Sequence, residues 1–402
     1  MAIDLAKREE PFMKILIVLD HPFPPNVRVE NEMKSLTEAG NDVHVACVQR
    51  DNEPVIEKSS LGIIHRRPMS KFIYKTSVGV LKFPFYFNYW RRFIDDLFKE
   101  ESFDAIHVCD LPLARIGYEA KCKYGACFVL DLFENWPVLL QLSTHTNTFL
   151  GKMLSSYKQW VRYEKEMCGL ADRVVVVVEE AKTRIEALGI PPEKVVVISN
   201  TLDLEQFDVP QRKAFNTNEI KMLYVGGINY HRGIQFVIQA IAILKERNIP
   251  VHFDLVGGGS YLDKIKNLVE ELHVQDNVMV HGFKPFTQIQ DLYESANVAL
   301  IPHIKSGHTD NTIPNKIFQY MYAEIPMVVS NCDPLVRIVN ETESGVSYRY
   351  DHPEDLAEIV TKFYNRPELL NNYIKQGRKA VIDKYNWKYD GEKLATLYAN
   401  LK

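Results

Sequence analysis

The sequence predicts an α/β chain made of two successive parallel-sheet domains. Three observations predict it. Short apolar runs of strand length alternate with helical stretches almost throughout. One polar stretch, 208–219, interrupts the rhythm, which then restarts. The chain has 402 residues, enough for two ordinary domains.

Lys14–Asp20 (KILIVLD) is an apolar run suited to a buried parallel strand. Val27–Ala39 follows as a helix, with Gly40 as its stop. Val43–Gln49, Asp104–Cys109, Cys127–Leu132, Arg173–Val178 and Val195–Ile198 continue the strand series. After the polar stretch, Ile220–Val225, Val251–Val256, Val278–His281, Val298–Ile301 and Met327–Ser330 read as strands. Ile234–Glu246, Tyr261–Leu272 and Ile313–Tyr322 read as helices. The expected organisation is a leader at 1–12, a first Rossmann-like domain at 13–207, a linker at 208–219 and a second Rossmann-like domain at 220–385. A closing helix, 386–402, packs back on the first domain. Ligands bind such sheets beyond the carboxyl ends of their strands. Two sheets facing each other would hold the active site in the cleft between them.

Composition narrows the function. Hydrophobic residues make up 46% and charged residues 25%, the balance of a soluble globular protein. A formal net charge of −4 argues against a nucleic-acid binder, which needs a basic surface. The six cysteines are scattered, with no Cys-x-x-Cys pair, so neither a disulfide frame nor a zinc knuckle is suggested. No apolar run approaches the ~20 residues that span a bilayer. The charged N-terminus lacks the apolar centre of a signal peptide. The expected location is the cytoplasm.

Three elements of the second half suggest a phosphate site. Tyr224–Gly233 reads YVGGINYHRG, a strand that turns on Gly226 and Gly227 and delivers His231 and Arg232 to a helix opening at Gly233. Glycines allow close backbone approach, a helix N-terminus offers free N–H groups, and Arg232 adds a forked cation suited to a diphosphate. Gly257–Gly259 is a second glycine turn, again where a strand hands over to a helix. Either turn alone also reads as an ordinary βα connection. Third, 307–326 reads GHTDNTIPNKIFQYMYAEIP. Pro314 suits the first turn of a helix capped by Asn311 or Thr312. The amides of Thr312 and Ile313 would point at a ligand. Gln319 faces either the ligand or solvent.

These residues resemble the retaining glycosyltransferases of the GT-B fold, in particular the glycogen-synthase-like and mannosyltransferase-like family 4. The resemblance covers nearly the whole chain and is strongest in 221–345. The YVGG…RG turn resembles the family's donor-diphosphate loop, and 278–285 (VMVHGFKP, with Lys284) its nucleobase-contacting segment. Pro314–Pro326 resembles the signature helix, and 199–207 (SNTLDLEQF) the segment closing the first domain. The resemblance implies a nucleotide-diphosphate sugar as co-substrate, no metal, no other cofactor, and transfer with retention. It makes Gly226, Gly227, Arg232, Gly257, Gly258, Lys284, Asn311, Thr312, Ile313 and Gln319 donor-binding, with Arg232 and Asn311 also catalytic.

The chain departs from the family where two glutamates usually stand, eight residues apart; here they are Asn311 and Gln319. An amide still binds hydroxyls but carries no negative charge. Gly227 stands where many members carry an arginine. The loop after the first strand, 20–28 (DHPFPPNVR), has three prolines and no glycine. In it, Arg28 reads equally as a phosphate-facing cation or a solvated helix-entry charge, and His21 as a contact or a packing residue. After the strand Cys127–Leu132, Glu134 is suited to orient or deprotonate an acceptor hydroxyl. A structural carboxylate paired with an arginine is the other reading.

Residues 59–94 contain no acid. They interleave Arg66, Arg67, Arg91 and Arg92 with aromatic residues such as Trp90. That mixture suits an anionic membrane surface or a lipid-linked glycan. The alternative places the aromatics in the core. The histidines show no zinc spacing. The expected activity is sugar transfer to a glycan or lipid-linked acceptor in cell-surface polysaccharide or lipopolysaccharide synthesis. A non-catalytic scaffolding relative and a nucleotide-sugar epimerase of the same fold are the alternatives.

Overall fold

The structure, a computed structural model, describes residues 12–50, 52–142, 154–207 and 218–401. The chain divides into two compact units, Met1–Ser199 with Lys388–Lys402, and Asn200–Trp387. The division falls before the expected bound at 207. Leu202 pairs with Asn386, and its carbonyl accepts from Trp387 N at 2.8 Å, which ties this stretch to the second unit. Residues 1–11 of the expected leader and 208–217 of the expected linker lie outside the described residues.

In chain order the first unit contains β1 (Lys14–Pro22), α1 (Val27–Glu38), β2 (Asp42–Val48), β3 (Ile56–Ser59), β4 (Gly62–Arg67), α2 (Lys71–Thr76) and α3 (Phe85–Glu100). It continues with β5 (Ala105–Cys109), α4 (Ala114–Tyr124), β6 (Cys127–Leu132), α5 (Trp136–Leu142), α6 (Tyr157–Leu170), β7 (Arg173–Val176), α7 (Glu179–Ala187) and β8 (Val195–Val197). The sheet order is β3-β4-β2-β1-β5-β6-β7-β8. All neighbours run parallel except β3, which lies antiparallel to β4 at the edge. β3 (IEKS) has one apolar residue, Ile56, and that residue is exposed, so no apolar pattern announced it. β1 sits in the middle of the sheet. Ile15–Leu19 is wholly buried, as a strand covered on both faces requires.

A buried charge cluster lies on this sheet. Arg28 is buried, neither phosphate-facing nor solvated. Its Nε and Nη2 donate to Asp131 at 2.9–3.0 Å, its Nη1 donates to Ile198 O at 3.0 Å, and Glu32 Oε1 lies 2.9 Å from its Nε. The reason is electrostatic. Asp131 and Glu32 are both buried, and a buried carboxylate requires a partner. Burial alone would raise the Asp131 carboxyl; the Arg28 guanidinium, His107 and the hydrogen bond with Glu32 together outweigh it and hold Asp131 at about 2. Burial, then the Asp131 charge, pushes Glu32 well up. The two acids of the cluster are thus pushed apart, Asp131 toward its charged form and Glu32 toward its neutral one.

The second unit contains β9 (Ile220–Val225), α8 (Ile234–Glu246), β10 (Val251–Val256), α9 (Leu262–Glu271), β11 (Val278–Gly282), α10 (Gln290–Ser295) and β12 (Val298–Ile301). There follow α11 (Lys316–Tyr322), β13 (Met327–Ser330), α12 (Asp333–Thr342), β14 (Gly345–Tyr348), α13 (Pro353–Asn365) and α14 (Leu369–Asp383). Its sheet, β11-β10-β9-β12-β13-β14, is parallel throughout. α8 shows why the layers close. Ile234, Val237, Ile238, Ile241 and Leu244 recur at helical spacing, and all are buried. Each such side chain contributes roughly 1.5–3 kcal/mol on burial. The stripe joins the core that includes Phe253, Leu255, Leu356 and Val360.

The closing helix, α15 (Trp387–Ala399), returns most of its length to the first unit. Tyr398 OH and His107 Nδ1 share a hydrogen bond of 2.8 Å, and Cys127 Sγ donates to Leu401 O at 3.7 Å.

Replacing Arg28 with Met leaves the buried Asp131 charge without its partner and should cost about 3–5 kcal/mol in urea unfolding at neutral pH. Asp131→Asn leaves Arg28 with Glu32 and should cost less. The Asp131 contribution is present above its unfolded value of 3.8 and is lost as pH falls through about 2. The wild-type margin over Asp131→Asn should therefore shrink across that window.

Candidate functional site

In the second unit the strand order reverses at β9, which is flanked by β10 on one side and β12 on the other. Open α/β sheets bind ligands at such a point, beyond the carboxyl ends of the strands. The glycine turns and Arg232 lie there.

The two turns rest on each other. Gly226 N donates to Val256 O at 2.9 Å, and Ile228 N to Gly258 O at 2.8 Å. Gly226 has φ 146° and Gly257 φ 139°. A Cβ at Gly257 would overlap the Gly226 carbonyl, whereas a Cβ at Gly258 would meet nothing within 4 Å. Two tyrosines brace the first turn from below: Tyr224 OH donates to Gly227 O at 2.8 Å, and Val225 N donates to Tyr320 OH at 2.9 Å. Gly233 (φ 70°) then lets the loop lie against Pro302 at the end of β12.

That contact sets Arg232 beside His303. Arg232 Nη1 donates to His303 Nε2 at 3.0 Å, while Arg232 Nε is buried without a hydrogen-bond partner. His303 accepts because it stays neutral. Burial, then the charges of Arg232 and Lys316, hold its imidazolium form well below the ordinary histidine range. Burial and neighbouring cations likewise lower His231 and His308 to about 4 each. Lys316 completes the group, with its Nζ 3.9 Å from the Tyr224 ring centre and against Gly226. The sequence reading passed over Lys316. Its only signal was a lysine in the PNKIF run that opens the signature helix. Among the described residues no carboxylate pairs with Arg232 or Lys316. Asp310 and Asp333 are both bound to Lys305.

The signature helix starts later than expected. Thr309–Asn311 is a 3₁₀ turn and Thr312 is extended (φ −144°, ψ 162°); the α-helix begins at Lys316. Ile313 precedes Pro314, and a residue before proline is disfavoured in helical conformation. Asn311 and Thr312 therefore do not cap the helix. Asn311 Nδ2 instead donates to Gly307 O at 2.8 Å. Thr312 and Gln319 are half-buried, Ile313 is buried, and Lys284 is half-buried just past the end of β11.

In the first unit the corresponding strand ends carry acids. Asp20 and His21 close β1, with His21 Nδ1 3.2 Å from Asp20 Oδ1 and Nε2 3.2 Å from the helix-capping Asn26. Asp110 follows β5 at φ 66° and accepts from Phe133 N at 3.0 Å. Glu134 follows β6. Burial, then the charges of Glu134 and Asp20, push the Asp110 carboxyl well above the ordinary range. Perturbed acids of this kind mark candidate proton-transfer groups. Asp110 was missed, although it stands directly after AIHVC, at the carboxyl end of its strand.

The proposed membrane residues separate. Trp90 is fully buried on the apolar stripe of α3. Arg66 is buried, donating to Phe23 O and Pro54 O and paired with Glu57. Neither can touch a membrane. Arg67 pairs with Asp96 and Arg91 with Glu119, whereas Arg92 is exposed. The exposed aromatics are instead Phe72, Tyr74, Phe83 and Phe85.

Two groups among the described residues have metal-like donor sets, Glu32/His107/Cys109 and His44/His65/Glu101. The first is part of the Arg28 cluster. In the second, His44 Nδ1 and His65 Nε2 already share a hydrogen bond of 2.9 Å.

Residues 205–380 match the family described as Glycosyl transferases group 1, and residues 26–206 match Glycosyltransferase Family 4. The chain belongs to the group 1, family 4-like glycosyltransferases. Among relatives, an amylovoran biosynthesis glycosyltransferase, AmsK, of Erwinia amylovora is 24% identical over 54% of both chains. The chain spans about half the length of the curated relatives it matches. Sucrose-phosphate synthase from Thermosynechococcus elongatus superposes with a TM-score of 0.77 at 18% identity, over 97% of this chain and 99% of that one. Anabaena HepE in complex with UDP gives 0.71 at 13%, over 96% and 100%. The shared fold is GT-B.

The glycine geometry yields a matched pair of variants. Gly257→Ala should lower the stability of the second unit by about 2 kcal/mol or more, through strain and overlap with Gly226. Gly258→Ala should be nearly silent. Thermal unfolding of the two proteins side by side checks this.

Proposed function

We propose that the protein is a glycosyltransferase that takes its sugar from a nucleoside diphosphate sugar held by the second unit. The observation that carries this reading is Arg232. It stands at the strand-order reversal beside two interlocked glycine turns, with no carboxylate among the described residues paired to it. A diphosphate is the ligand such a cradle suits: main-chain N–H groups and a guanidinium neutralise its oxygens. Family membership and the UDP complex of HepE support the same choice. Gly226, Gly227, Gly257, Gly258, Thr312 and Ile313 supply close backbone. Asn311, Gln319 and Lys284 serve the sugar, ribose and base.

Transfer breaks the bond between the anomeric carbon and the diphosphate oxygen and forms one to an acceptor hydroxyl oxygen. The hydroxyl proton needs a base, and Glu134, near Asp110, is suited to take it. His21 is the other acceptor-side candidate. The family resemblance supports retention at the anomeric carbon and a reaction without metal. Relatives named for amylovoran and colanic acid biosynthesis, and the lipopolysaccharide enzyme WaaG among the structural neighbours, support a cell-surface glycan or its lipid-linked precursor as acceptor. Such an acceptor places the work at the cytoplasmic face of a membrane. Among the described residues no helix is long and apolar enough to cross one.

A second reading rests on Asn311 and Gln319. With both positions uncharged, the unit binds a nucleotide sugar without turning it over. An epimerase would convert the sugar with no acceptor present.

For membrane contact the supporting surface is α2 with the start of α3. Phe72, Tyr74, Phe83 and Phe85 are exposed beside the exposed Lys71, Lys75 and Lys82. Aromatic rings favour the headgroup layer, and each lysine adds about 1 kcal/mol at an anionic surface.

A thermal-shift screen with UDP-, GDP- and ADP-sugars should show one nucleotide class raising the melting temperature. Arg232→Ala should weaken that ligand by about ten- to a hundredfold. Full affinity in the variant, or no response to any nucleotide, rules the reading out. Product assays with a lipid-linked acceptor pool separate transfer from silent binding and from epimerisation. In flotation, vesicles containing phosphatidylserine should carry the wild-type protein and lose Phe72→Ser/Phe85→Ser. Equal flotation of both proteins, or none, excludes this surface.

A further inference from the structure

Lys316 has an unusual setting. Its ammonium lies 3.9 Å over the Tyr224 ring, against Gly226, and no carboxylate among the described residues pairs with it. The groups facing it leave it without a counter-ion. Tyr224 comes from β9, Arg232 from the 3₁₀ turn Tyr230–Arg232, and His303 from the end of β12; His231 and His308 lie beyond. Tyr320 on its own helix is spent on Val225 N. A ring face attracts a cation, but one desolvated cation beside another is unfavourable, and proteins relieve that by giving up the proton.

We propose that Lys316 is a second phosphate-binding residue, uncharged in the empty site, and that a nucleoside diphosphate enters together with one proton that Lys316 takes up. This rests on the donor reading above and goes beyond it. It assigns a residue that the family resemblance did not supply, and it makes donor binding a proton-linked event. It also answers a gap noted in the sequence. Gly227 stands where relatives carry an arginine, and the Lys316 ammonium lies against the same turn from the first turn of α11.

The direction of the perturbation agrees. Burial first, then the Arg232 charge, holds Lys316 well below the ordinary lysine range. Two phosphate charges brought beside it favour the ammonium and raise that value. The bound state then holds one proton more than the free state, so affinity falls as pH rises through the bound-state pKa. Tyr224 does not compete for this proton, because burial raises it to about 12.

The test is calorimetry of the full chain with UDP, GDP and ADP, in buffers of different ionisation heat. It is run at about pH 8.5, above the titration of free histidine and phosphate. Wild type should take up about one proton per nucleotide bound. Lys316→Met should bind about ten- to a hundredfold more weakly with no uptake. Lys316→Arg, charged at every pH, should bind with no uptake while retaining affinity. The arginine variant separates the proposal from a merely structural role, because lost packing does not abolish proton uptake and leave binding intact. Wild-type binding without uptake overturns the proposal, as does uptake that survives in both variants. If none of the three nucleotides binds, the donor reading itself falls, which is a different result from binding without a proton.

Discussion

The Gly257 backbone lies on the Gly226 carbonyl, and the site of the second unit follows from that contact. With any side chain at 257 the two turns would separate. Gly226 would lose its bond to Val256, Ile228 its bond to Gly258, and the loop carrying Arg232 its floor. The tyrosines beneath reinforce the same point. Tyr224 and Tyr320 spend their hydroxyls on the turn, and Tyr224 turns its ring face to the Lys316 amine. The result is a rigid main-chain shelf with the Arg232 charge over it and, among the described residues, no built-in anion. Such an arrangement attracts an anion without first having to break an internal ion pair.

The first unit handles charge in the opposite way. Arg28 is closed off by Asp131, Glu32 and a carbonyl, so nothing is left for a ligand. An arginine placed just after a first strand looks the same in sequence in both circumstances. What separates them is whether a carboxylate from a distant strand reaches it, and Asp131 lies 103 residues away.

The sheets were legible for a simple reason. Stretches such as Ile15–Leu19 and Val298–Ile301 are buried on both faces, and burial on both faces leaves an unbroken apolar run that needs no partner to be recognised. The edge hairpin β3–β4 was not legible, because an edge strand of mixed polarity carries no such run. The glycine turns and Arg232 could be read because close approach and phosphate chemistry demand particular residue types. Lys316, Asp110 and the true start of α11 could not. Their character depends on neighbours that only folding assembles, or on a proline rule outweighed by apparent helical periodicity. Trp90 and Arg66 mark the same limit from the other side. Interleaved aromatic and basic residues describe a membrane surface and a folded core equally well, and here Trp90 on α3 and Arg66 on β4 are both buried while Arg92 is exposed.

The closing helix has a consequence for how the chain matures. On the ribosome, residues 1–199 emerge first, yet His107 on β5 and Cys127 on β6 each bond to the closing segment, at Tyr398 and Leu401. The early-made half must therefore wait, one flank open, while the whole of 200–387 is translated. The later-made half is continuous in sequence and can finish ahead of it. Synthesis order and order of completion are thus reversed, and a nascent chain released short of its last fifteen residues would carry a finished second unit on an unfinished first.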